Sequence, residues 1–476
     1  MKISLASVTP VAALAALTAA SCDFVAGNYY CSQTNAVAYS NVGYSGSYRD
    51  VTSMDETSCT CQQEEVTFEG SLAPLDEELS VHFRGPLELL QFGVYYPASG
   101  ASLKKRENCD VEVAHHAHKR EAAVKIVEVT STVWVDGEGN AAPTSSAGYQ
   151  SSAVVTMSSL VPESSSPAYA SSASSSPAYA SSAFSSPAYA SSASSSPAYA
   201  SSASSSPAYA SSSSSSSSSA ASSPSSSSSP SSGSGWNRVA YYTPGSTTNC
   251  TFMNNQGGTA GSGTWSACFG NSISYAAADG VSGAGSPQAL NQVTLASNKE
   301  YMIFSGTSCS DDSLGSCGYY RNDIPAYHGF GGATKIFVFE FTMPHDYSSS
   351  YNQDMPAVWL LNAKVPRTLQ YGDSTCSCWS TGCGELDLFE ILSSGSEKLI
   401  THLHDGQGND GTSSGGGGTQ DYFARPTSSS LKAAVIFNGN DKSIHVVEVS
   451  DDFDPSLSAE TVNSWLDVAA SAANLV

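Results

Sequence analysis

Basic residues are scarce in this chain of 476 residues. Lys and Arg together number 19 against 42 Asp and Glu, which gives a formal net charge of -23 at pH 7. Binding to nucleic-acid phosphates requires clustered Lys and Arg, so the sequence predicts no nucleic-acid partner. A neutral polymer remains compatible with this charge, because acidity alone does not select a substrate.

Long hydrophobic runs are also missing beyond the start of the chain. After residue 20, no segment approaches the roughly 20 apolar residues that a transmembrane helix needs, so we expect no membrane span. The start itself has the features of a secretory signal: Lys2, a short apolar core at residues 11–17 and small residues at 18–20. We therefore expect a signal peptide at residues 1–20 and a secreted, extracellular protein, which we take to be monomeric.

Twelve cysteines are present, and in a secreted chain they indicate disulfides. They are Cys22, Cys31, Cys59, Cys61 and Cys109, then Cys250, Cys268, Cys309, Cys317, Cys376, Cys378 and Cys383. Five before the Ser-rich middle and seven after it leave one odd cysteine on each side. Either one bridge joins the two halves or each half keeps a free thiol. The last three cysteines resemble a thiolate metal cluster, but no fourth ligand lies nearby, and we expect neither a metal nor a cofactor.

Residues 21–115 form the first candidate for a folded unit. Strand-like runs lie at residues 65–69 and 79–96. In the second run Val81 and Phe83 alternate with His82 and Arg84, as in a half-buried strand. Together with the cysteines, this pattern predicts a small disulfide-braced β module.

Residues 116–235 are dominated by Ser, Ala and Pro. A ten-residue unit repeats with its prolines in register, at Pro167, Pro177, Pro187, Pro197 and Pro207. Such a segment lacks the apolar side chains that offset chain entropy, so we expect a disordered and O-glycosylated spacer. Dibasic sequences near its start offer processing sites after Arg106 or Arg120.

Residues 236–476 are long enough for one large β-sandwich. Strand candidates lie at residues 335–341, 357–361, 399–404, 433–437 and 443–449. No long helical period competes with them, which predicts an all-β chain with an antiparallel sandwich in this part. Asn249, followed by Cys250 and Thr251, is an N-glycosylation acceptor and agrees with secretion.

The three acids Glu385, Asp387 and Glu390 stand among large apolar side chains of a predicted strand. Burying ionised carboxylates costs several kcal/mol each unless they are paired, so folding alone would not favour this arrangement. On a regular strand Glu385 and Asp387 share a face and Glu390 points the other way. A β-bulge around Leu388 and Phe389 would bring all three acids to one cleft.

Paired carboxylates are the machinery of glycoside hydrolysis. A retaining enzyme uses one as nucleophile and another, kept protonated, as acid and then base, roughly 5 to 5.5 Å apart. Four effective strand steps separate the two glutamates by about 13 Å along the backbone, so their side chains must lean toward each other. Asp387 between them would bias the shared protons.

The acidic pattern resembles the Glu-x-Asp-x-x-Glu signature of glycoside hydrolase family 16, which are β-jelly-roll enzymes acting on β-1,3-glucans and related polymers. The flanking strand Pro356-Ala357-Val358-Trp359-Leu360-Leu361 is also similar to one in that family. The resemblance implies that Glu385 is the nucleophile, Glu390 the acid/base and Asp387 the assisting residue. Trp359 would help to line the sugar cleft.

A closer resemblance is to the fungal cell-wall protein family typified by the target-of-SBF protein. It is carried by Cys376-Ser377-Cys378-Trp379, then Gly382-Cys383-Gly384-Glu385, and by the cysteine-containing first part and Ser-rich connector. This resemblance implies a glucan endo-1,3-β-glucosidase of the cell wall, with wall β-1,3-glucan as partner. The cysteine-bearing insert at residues 362–384 distinguishes the chain from ordinary family 16 enzymes.

Four further residues are candidates for sugar binding, each with an ordinary structural alternative. Trp359 either stacks on sugar or packs in the core. Trp379, in a cysteine-rich loop, is expected to be exposed near the cleft. His402 and His404 share one strand face and either reach the site or are ordinary hydrogen-bonded sheet histidines.

Two alternatives to hydrolysis of β-1,3-glucan remain open at this point. A transglycosylase would use the same carboxylates but pass the sugar to another glucan. A structural or glucan-binding wall mannoprotein would keep the fold and the glycosylated spacer without turnover.

Overall fold

The computed structural model describes residues 22–98, 235–259, 261–408, 411 and 415–475. The expected signal peptide, nearly all of the spacer, both dibasic sites and Cys109 lie outside these residues. Within them nearly all of the regular secondary structure is β-strand, which confirms the all-β prediction. None of the helices in this described part has the length and apolar character of a membrane span.

Seven strands precede the spacer in the described residues. They are β1 Asp23–Val25, β2 Asn28–Tyr30, β3 Ala36–Ser40, β4 Gly46–Asp55, β5 Thr60–Phe68, β6 Leu79–Arg84 and β7 Leu87–Pro97. The strand-like run predicted at residues 79–96 is therefore two strands, divided by a turn at Gly85 and Pro86.

Nineteen more strands follow the spacer in the part of the chain that the structure describes. They are β8 Gly235–Thr243, β9 Ser246–Thr248, β10 Cys250–Asn254, β11 Trp265–Ser266, β12 Gly270–Asn271, β13 Ser274–Ala276, β14 Gly283–Ala284, β15 Thr294–Leu295, β16 Glu300–Ser305, β17 Thr334–Thr342, β18 Ala357–Asn362, β19 Glu385–Glu390, β20 Lys398–His404, β21 Gly416–Gly418, β22 Phe423–Ala424, β23 Leu431–Asn438, β24 Ser443–Glu448, β25 Ser456–Ser458 and β26 Ser471–Leu475. The α-helices are α1 Lys364–Thr368 and α2 Ala459–Leu466, and short 3-10 turns lie at Asp312–Leu314, Ser374–Cys376 and Trp379–Thr381.

Most of these strands form two sheets. The front sheet has the order β14, β13, β10, β16, β6, β18, β19, β20, β21. The back sheet has the order β9, β8, β7, β17, β23, β24, β3. The pairings in both sheets are antiparallel, as predicted. β26 pairs with β21 at one edge and, in parallel, with β3 at the other, so it links the two sheets.

The main hydrophobic core lies between the two sheets. Alternation places Phe339 and Phe341 of β17 on its inner face, where they meet Phe83 of β6 and Phe389 of β19 at ring distances of 6.3 and 5.3 Å. The outer face of the back sheet is also apolar and forms a second cluster with Trp465 of α2. The back sheet is therefore buried on both faces.

The segment before the spacer is not a module apart. Its strand β6 lies between β16 and β18, β7 lies between β8 and β17, and β3 pairs with β24. Residues 21–115 and 236–476 were predicted to be two units, whereas strand pairing joins them into one sandwich. The periodicity of a sequence indicates where strands lie, but it does not show which distant strands pair with each other.

The disulfides tie the two segments together more strongly than expected. Two bridges, Cys59–Cys268 and Cys61–Cys376, cross the spacer, where the sequence analysis allowed one or none. The other bridges in the described residues are Cys22–Cys31, Cys309–Cys317 and Cys378–Cys383, and Cys250 is a free, buried thiol. The predicted use of cysteines in disulfides is confirmed.

Candidate active site

A β-bulge in β19 decides where the three acids point. Successive residues of β18, Val358 and Trp359, pair with Phe389 and Asp387, so Leu388 has no partner in that register. The register to β20 shifts at the same place. The predicted bulge is confirmed. Leu388 and Phe389 both enter the core, and Glu390, at the end of the strand, points to the outer face like the other two acids.

All three acids line one open cavity of about 250 Å³ on the outer face of the front sheet. Other lining residues are Arg84, Ala357, Trp359, Gln370, Tyr371 and Trp379. The cavity thus combines strands from both sides of the spacer with the insert at residues 362–384. Gly384 introduces β19 with a φ of 110°, and a Cβ there would lie 2.9 Å from Leu75, so only glycine fits this approach.

Glu385 lies half-buried at the start of β19. Its Oε2 accepts a hydrogen bond from Nε1 of Trp379 at 2.5 Å. Burial, followed by repulsion from Asp387, raises the pKa of Glu385, and the hydrogen bond from Trp379 opposes that rise. Trp379 is 41% exposed, as expected for a residue near the cleft.

Glu390 is paired with an arginine from the other side of the spacer. Nη2 of Arg84 lies 3.2 Å from Oε1 of Glu390, and Nε of Arg84 donates to the carbonyl of Met355 at 2.8 Å. Burial and repulsion from Asp387 raise the pKa of Glu390, while the guanidinium of Arg84 works in the opposite direction. Sequence reasoning missed Arg84, although the alternation in β6 had placed it on a polar face.

Trp359 both packs and lines the cavity, so the two readings of this residue are compatible. It is only 5% exposed, and its ring stacks on His82 at 5.0 Å. His82 is held by Ser80, whose Oγ lies 2.8 Å from Nε2 of the imidazole. Burial lowers the pKa of His82 to about 3, which keeps its ring neutral. His82 is thus a positioning residue for Trp359.

Of the two histidines of β20, His404 contacts an acid, and neither lines the cavity. Nε2 of His404 lies 3.3 Å from Oδ2 of Asp387. His402 stacks against His404 at 4.5 Å, and burial lowers the pKa of His402. Neither histidine is among the residues that line the cavity; both lie beside the acids on the same face of the front sheet, with His402 opposite Asp387 and His404 opposite Glu385.

The predicted glycosylation site lies at the start of β10. Asn249 is exposed, but its Nδ2 donates to the carbonyl of Val239 at 3.1 Å and its Oδ1 accepts from the amide of Gly306 at 2.9 Å. Glycosylation of Asn249 stays a prediction.

The cysteines near the site are disulfide-bonded and leave no thiolate for a metal. Cys378 pairs with Cys383 below Trp379, and Cys376 pairs with Cys61. Elsewhere in the described residues, Cys309, Cys317 and His328 come close enough to hold an ion, but these two cysteines are also joined.

Two family profiles match the chain. The one described as "Cell wall protein YJL171C/Tos1, N-terminal" matches residues 35–97, and "Cell wall protein YJL171C/Tos1, C-terminal" matches residues 234–465. The two matches lie on either side of the spacer and together contain nearly every strand of the sandwich.

Curated relatives match over nearly the whole length. "Probable circularly permuted 1,3-beta-glucanase TOS1" of Saccharomyces cerevisiae is 57% identical over 476 residues, with 96% of each chain covered. The protein of the same name in Candida albicans is 54% identical with 100% of each chain covered, and a "Probable circularly permuted 1,3-beta-glucanase" of Arthroderma benhamiae is 32% identical. No solved structure gave a significant match. On these similarities, the chain belongs to the YJL171C/Tos1 family of cell wall proteins.

Proposed function

We propose that the protein is a cell-wall glycoside hydrolase that cleaves β-1,3-glucan by a retaining double displacement. The observation that carries the proposal is the bulge in β19, which sets Glu385, Asp387 and Glu390 around one open cavity. The relatives are named as probable 1,3-beta-glucanases, which supports β-1,3-glucan as substrate. The same names describe these relatives as circularly permuted. This agrees with the position of β6 and β7, which precede the spacer in the sequence but lie in the middle of the two sheets.

In the first step Glu385 attacks the anomeric carbon, and the bond from this carbon to the leaving oxygen breaks. Glu390 gives its proton to that oxygen, so the shortened glucan departs as an alcohol. The N–H of Trp379 stabilises the ionised form of Glu385 that attacks. Burial and Asp387 raise the pKa values of both glutamates, to about 8 for Glu385 and about 7 for Glu390, so the pair retains a proton, which must lie on Glu390 when Glu385 attacks.

In the second step Glu390 must act as a base. Once Glu385 is an ester, one negative charge of the trio has gone, and the repulsion between the two glutamates has gone with it. Arg84 then favours the ionised form of Glu390, which takes a proton from water as the water attacks the anomeric carbon. The ester bond to Glu385 breaks, and the sugar is released with its original anomeric configuration.

The test is hydrolysis of laminarin-type β-1,3-glucan by the full secreted chain. A fragment of residues 236–476 is unsuitable, because it lacks β3, β6 and β7. Glu385→Gln should lower the release of reducing ends by at least roughly 10³-fold. Glu448→Gln is a matched control, since burial also raises the pKa of Glu448, on the back sheet.

Two further measurements separate the alternatives. NMR of the first products should show the β-anomer, as retention requires, and chromatography should show products shorter than the substrate. Products longer than the substrate would identify transfer to another glucan. Equal release of reducing ends by the wild type and Glu385→Gln, or none by either, would contradict the enzymatic function altogether.

A further inference from the structure

A second and larger cavity adjoins the one that holds the acids. It measures about 590 Å³ and is lined by loops that follow β10, precede β16 and connect β17 to β18. Arg84 and Tyr371 line both cavities. The two spaces therefore share a wall and form successive parts of one groove.

The register of the front sheet gives the direction of this groove. Glu390 lies opposite Ala357, Ala357 opposite Arg84, and Arg84 opposite Glu300 of β16. This row crosses four neighbouring strands at right angles to their length. With strands about 4.8 Å apart, it carries the groove about 14 Å from the catalytic strand. The second cavity lies at the Glu300 end of the row.

The side chains of the second cavity suit a neutral, hydroxyl-rich ligand. Tyr351 is 70% exposed and Tyr371 58% exposed, so each offers a free aromatic surface. Around them stand the amide groups of Asn255, Gln256 and Asn352, which both donate and accept hydrogen bonds. The charged side chains of Arg84, Lys299 and Glu300 also line this cavity. Exposed aromatic rings with convergent polar groups suit the apolar faces and the hydroxyls of a sugar.

Tyr371 lies at the junction of the two cavities. It belongs to the insert at residues 362–384, and its phenol donates to Oε2 of Glu300 at 2.9 Å. This bond ties the insert to β16 and sets the angle of the ring over the groove. Burial raises the pKa of Glu300, in keeping with its place in the groove wall.

The other side of the acids is built differently. β21, at the far side of β20, consists of Gly416–Gly418 and presents no side chains. None of the residues of β20 and β21 that the structure describes lines either cavity. Among the described residues, the two cavities therefore extend from the catalytic strand toward β16, whereas His402 and His404 flank the acids on the β20 side.

We propose that the second cavity is a glucan-binding subsite, which makes the protein select long chains that extend from Glu390 past Arg84 and Glu300. Tyr351 and Tyr371 stack on sugar rings there, and the amide groups bind their hydroxyls. This inference rests on the proposed substrate. It predicts that affinity rises with chain length until the subsite is filled.

The test is calorimetric titration of the full chain carrying Glu385→Gln with β-1,3-linked glucose oligomers of increasing length. Adding Tyr351→Ala should weaken binding of the long oligomers about 5- to 10-fold and leave oligomers too short to reach the subsite unaffected, because Tyr351 lines the second cavity alone. Adding Tyr371→Ala should weaken the long oligomers at least as much and the short ones to a smaller extent, because Tyr371 lines both cavities. Tyr371→Phe should have a smaller effect, because it keeps the ring and loses only the bond to Glu300. Tyr347→Ala, a tyrosine of equal exposure outside both cavities, is the control.

Each outcome decides between the proposals. Unchanged affinity for long oligomers in both alanine variants would overturn the subsite, as would an equal loss for short and long oligomers in Tyr351→Ala. If affinity depends on chain length and this dependence is lost in the alanine variants, but the wild type does not hydrolyse glucan, the subsite is retained and the proposed hydrolysis is rejected. Wild-type hydrolysis without any dependence on chain length would reject the subsite alone.

Discussion

Two groups of carboxylates in this sandwich have pKa values that are shifted in opposite directions. Asp354 is fully buried and accepts hydrogen bonds from Arg425 at 2.6 and 3.2 Å. Nδ1 of His345 lies 2.7 Å from its Oδ2. Although burial opposes it, these bonds lower the pKa of Asp354. Burial and repulsion from Asp387 instead raise the pKa values of Glu385 and Glu390, and each of these carboxylates has one opposing partner, Trp379 for Glu385 and Arg84 for Glu390.

The difference shows what each group contributes. Arg425 also donates to the carbonyls of Met343, Pro344 and Ser396, so with Asp354 it fastens three loops together. Such complete pairing is what a buried charge needs for stability. The acids of β19 are left underneutralised, which costs stability and, in the proposed function, keeps a proton available for catalysis. The comparison separates a structural ion pair from a reactive one.

Asp354→Asn should have the largest effect on stability. The amide keeps the shape of the side chain but leaves the buried charge of Arg425 uncompensated, which costs about 3–5 kcal/mol of the free energy of unfolding. Guanidinium denaturation followed by tryptophan fluorescence measures the loss. Asp452→Asn breaks an exposed pair with Lys432 and should hardly move the midpoint. Equal midpoints for the two variants would show that the buried pair does not stabilise the fold.

Much of the local architecture follows from the sequence. The alternation of Phe337, Phe339 and Phe341 gives the strand and its inner face, and the parity of the acids in β19 gives the bulge. These features depend on neighbours within a few residues, where side-chain periodicity fixes the face. The short helix α2, which contributes Trp465 to the outer cluster, was not predicted, because about two turns are too short to show a clear helical period in the sequence.

The rest of the site could not be predicted, because it depends on pairing between distant strands. Arg84 and Glu390 are separated by 306 residues, and no local pattern shows that β6 lies beside β18. The two bridges across the spacer have the same cause, since spacing does not reveal connectivity. Tyr371 and Glu300 likewise meet only when the insert folds over β16.

Arg84→Met should separate proton supply from folding at the catalytic acids. Removing the guanidinium takes away the effect that lowers the pKa of Glu390, so this pKa rises and the basic limb of kcat/KM moves to higher pH. We expect the maximum of kcat/KM to fall about tenfold, because Glu390 also loses its anchor. Arg84→Lys should restore the limb toward its wild-type position without restoring the maximum, since it keeps the charge but not the planar geometry. An unchanged or lower basic limb in Arg84→Met would contradict this role.

The smallest effect concerns the pH dependence of stability. The folded-state pKa values of Glu385 and Glu390 lie above their ordinary value of 4.5, so above this pH the folded state holds more protons than the unfolded state. Stability therefore falls as pH rises through the folded-state values, whereas the lowered pKa of Asp354 removes stability only as pH falls below 3.8.

Glu385→Gln combined with Glu390→Gln should remove this alkaline loss. The double variant should be no less stable than the wild type at pH 5 and gain on the order of 1 kcal/mol over it by pH 8. Thermal midpoints at several pH values measure the difference, and Glu64→Gln on the exposed side of β5 corrects for loss of a surface charge. A double variant whose stability follows the wild type at every pH would mean that the acids of β19 are already neutralised. They would then resemble Asp354, and the distinction between structural and reactive carboxylates in this fold would be lost.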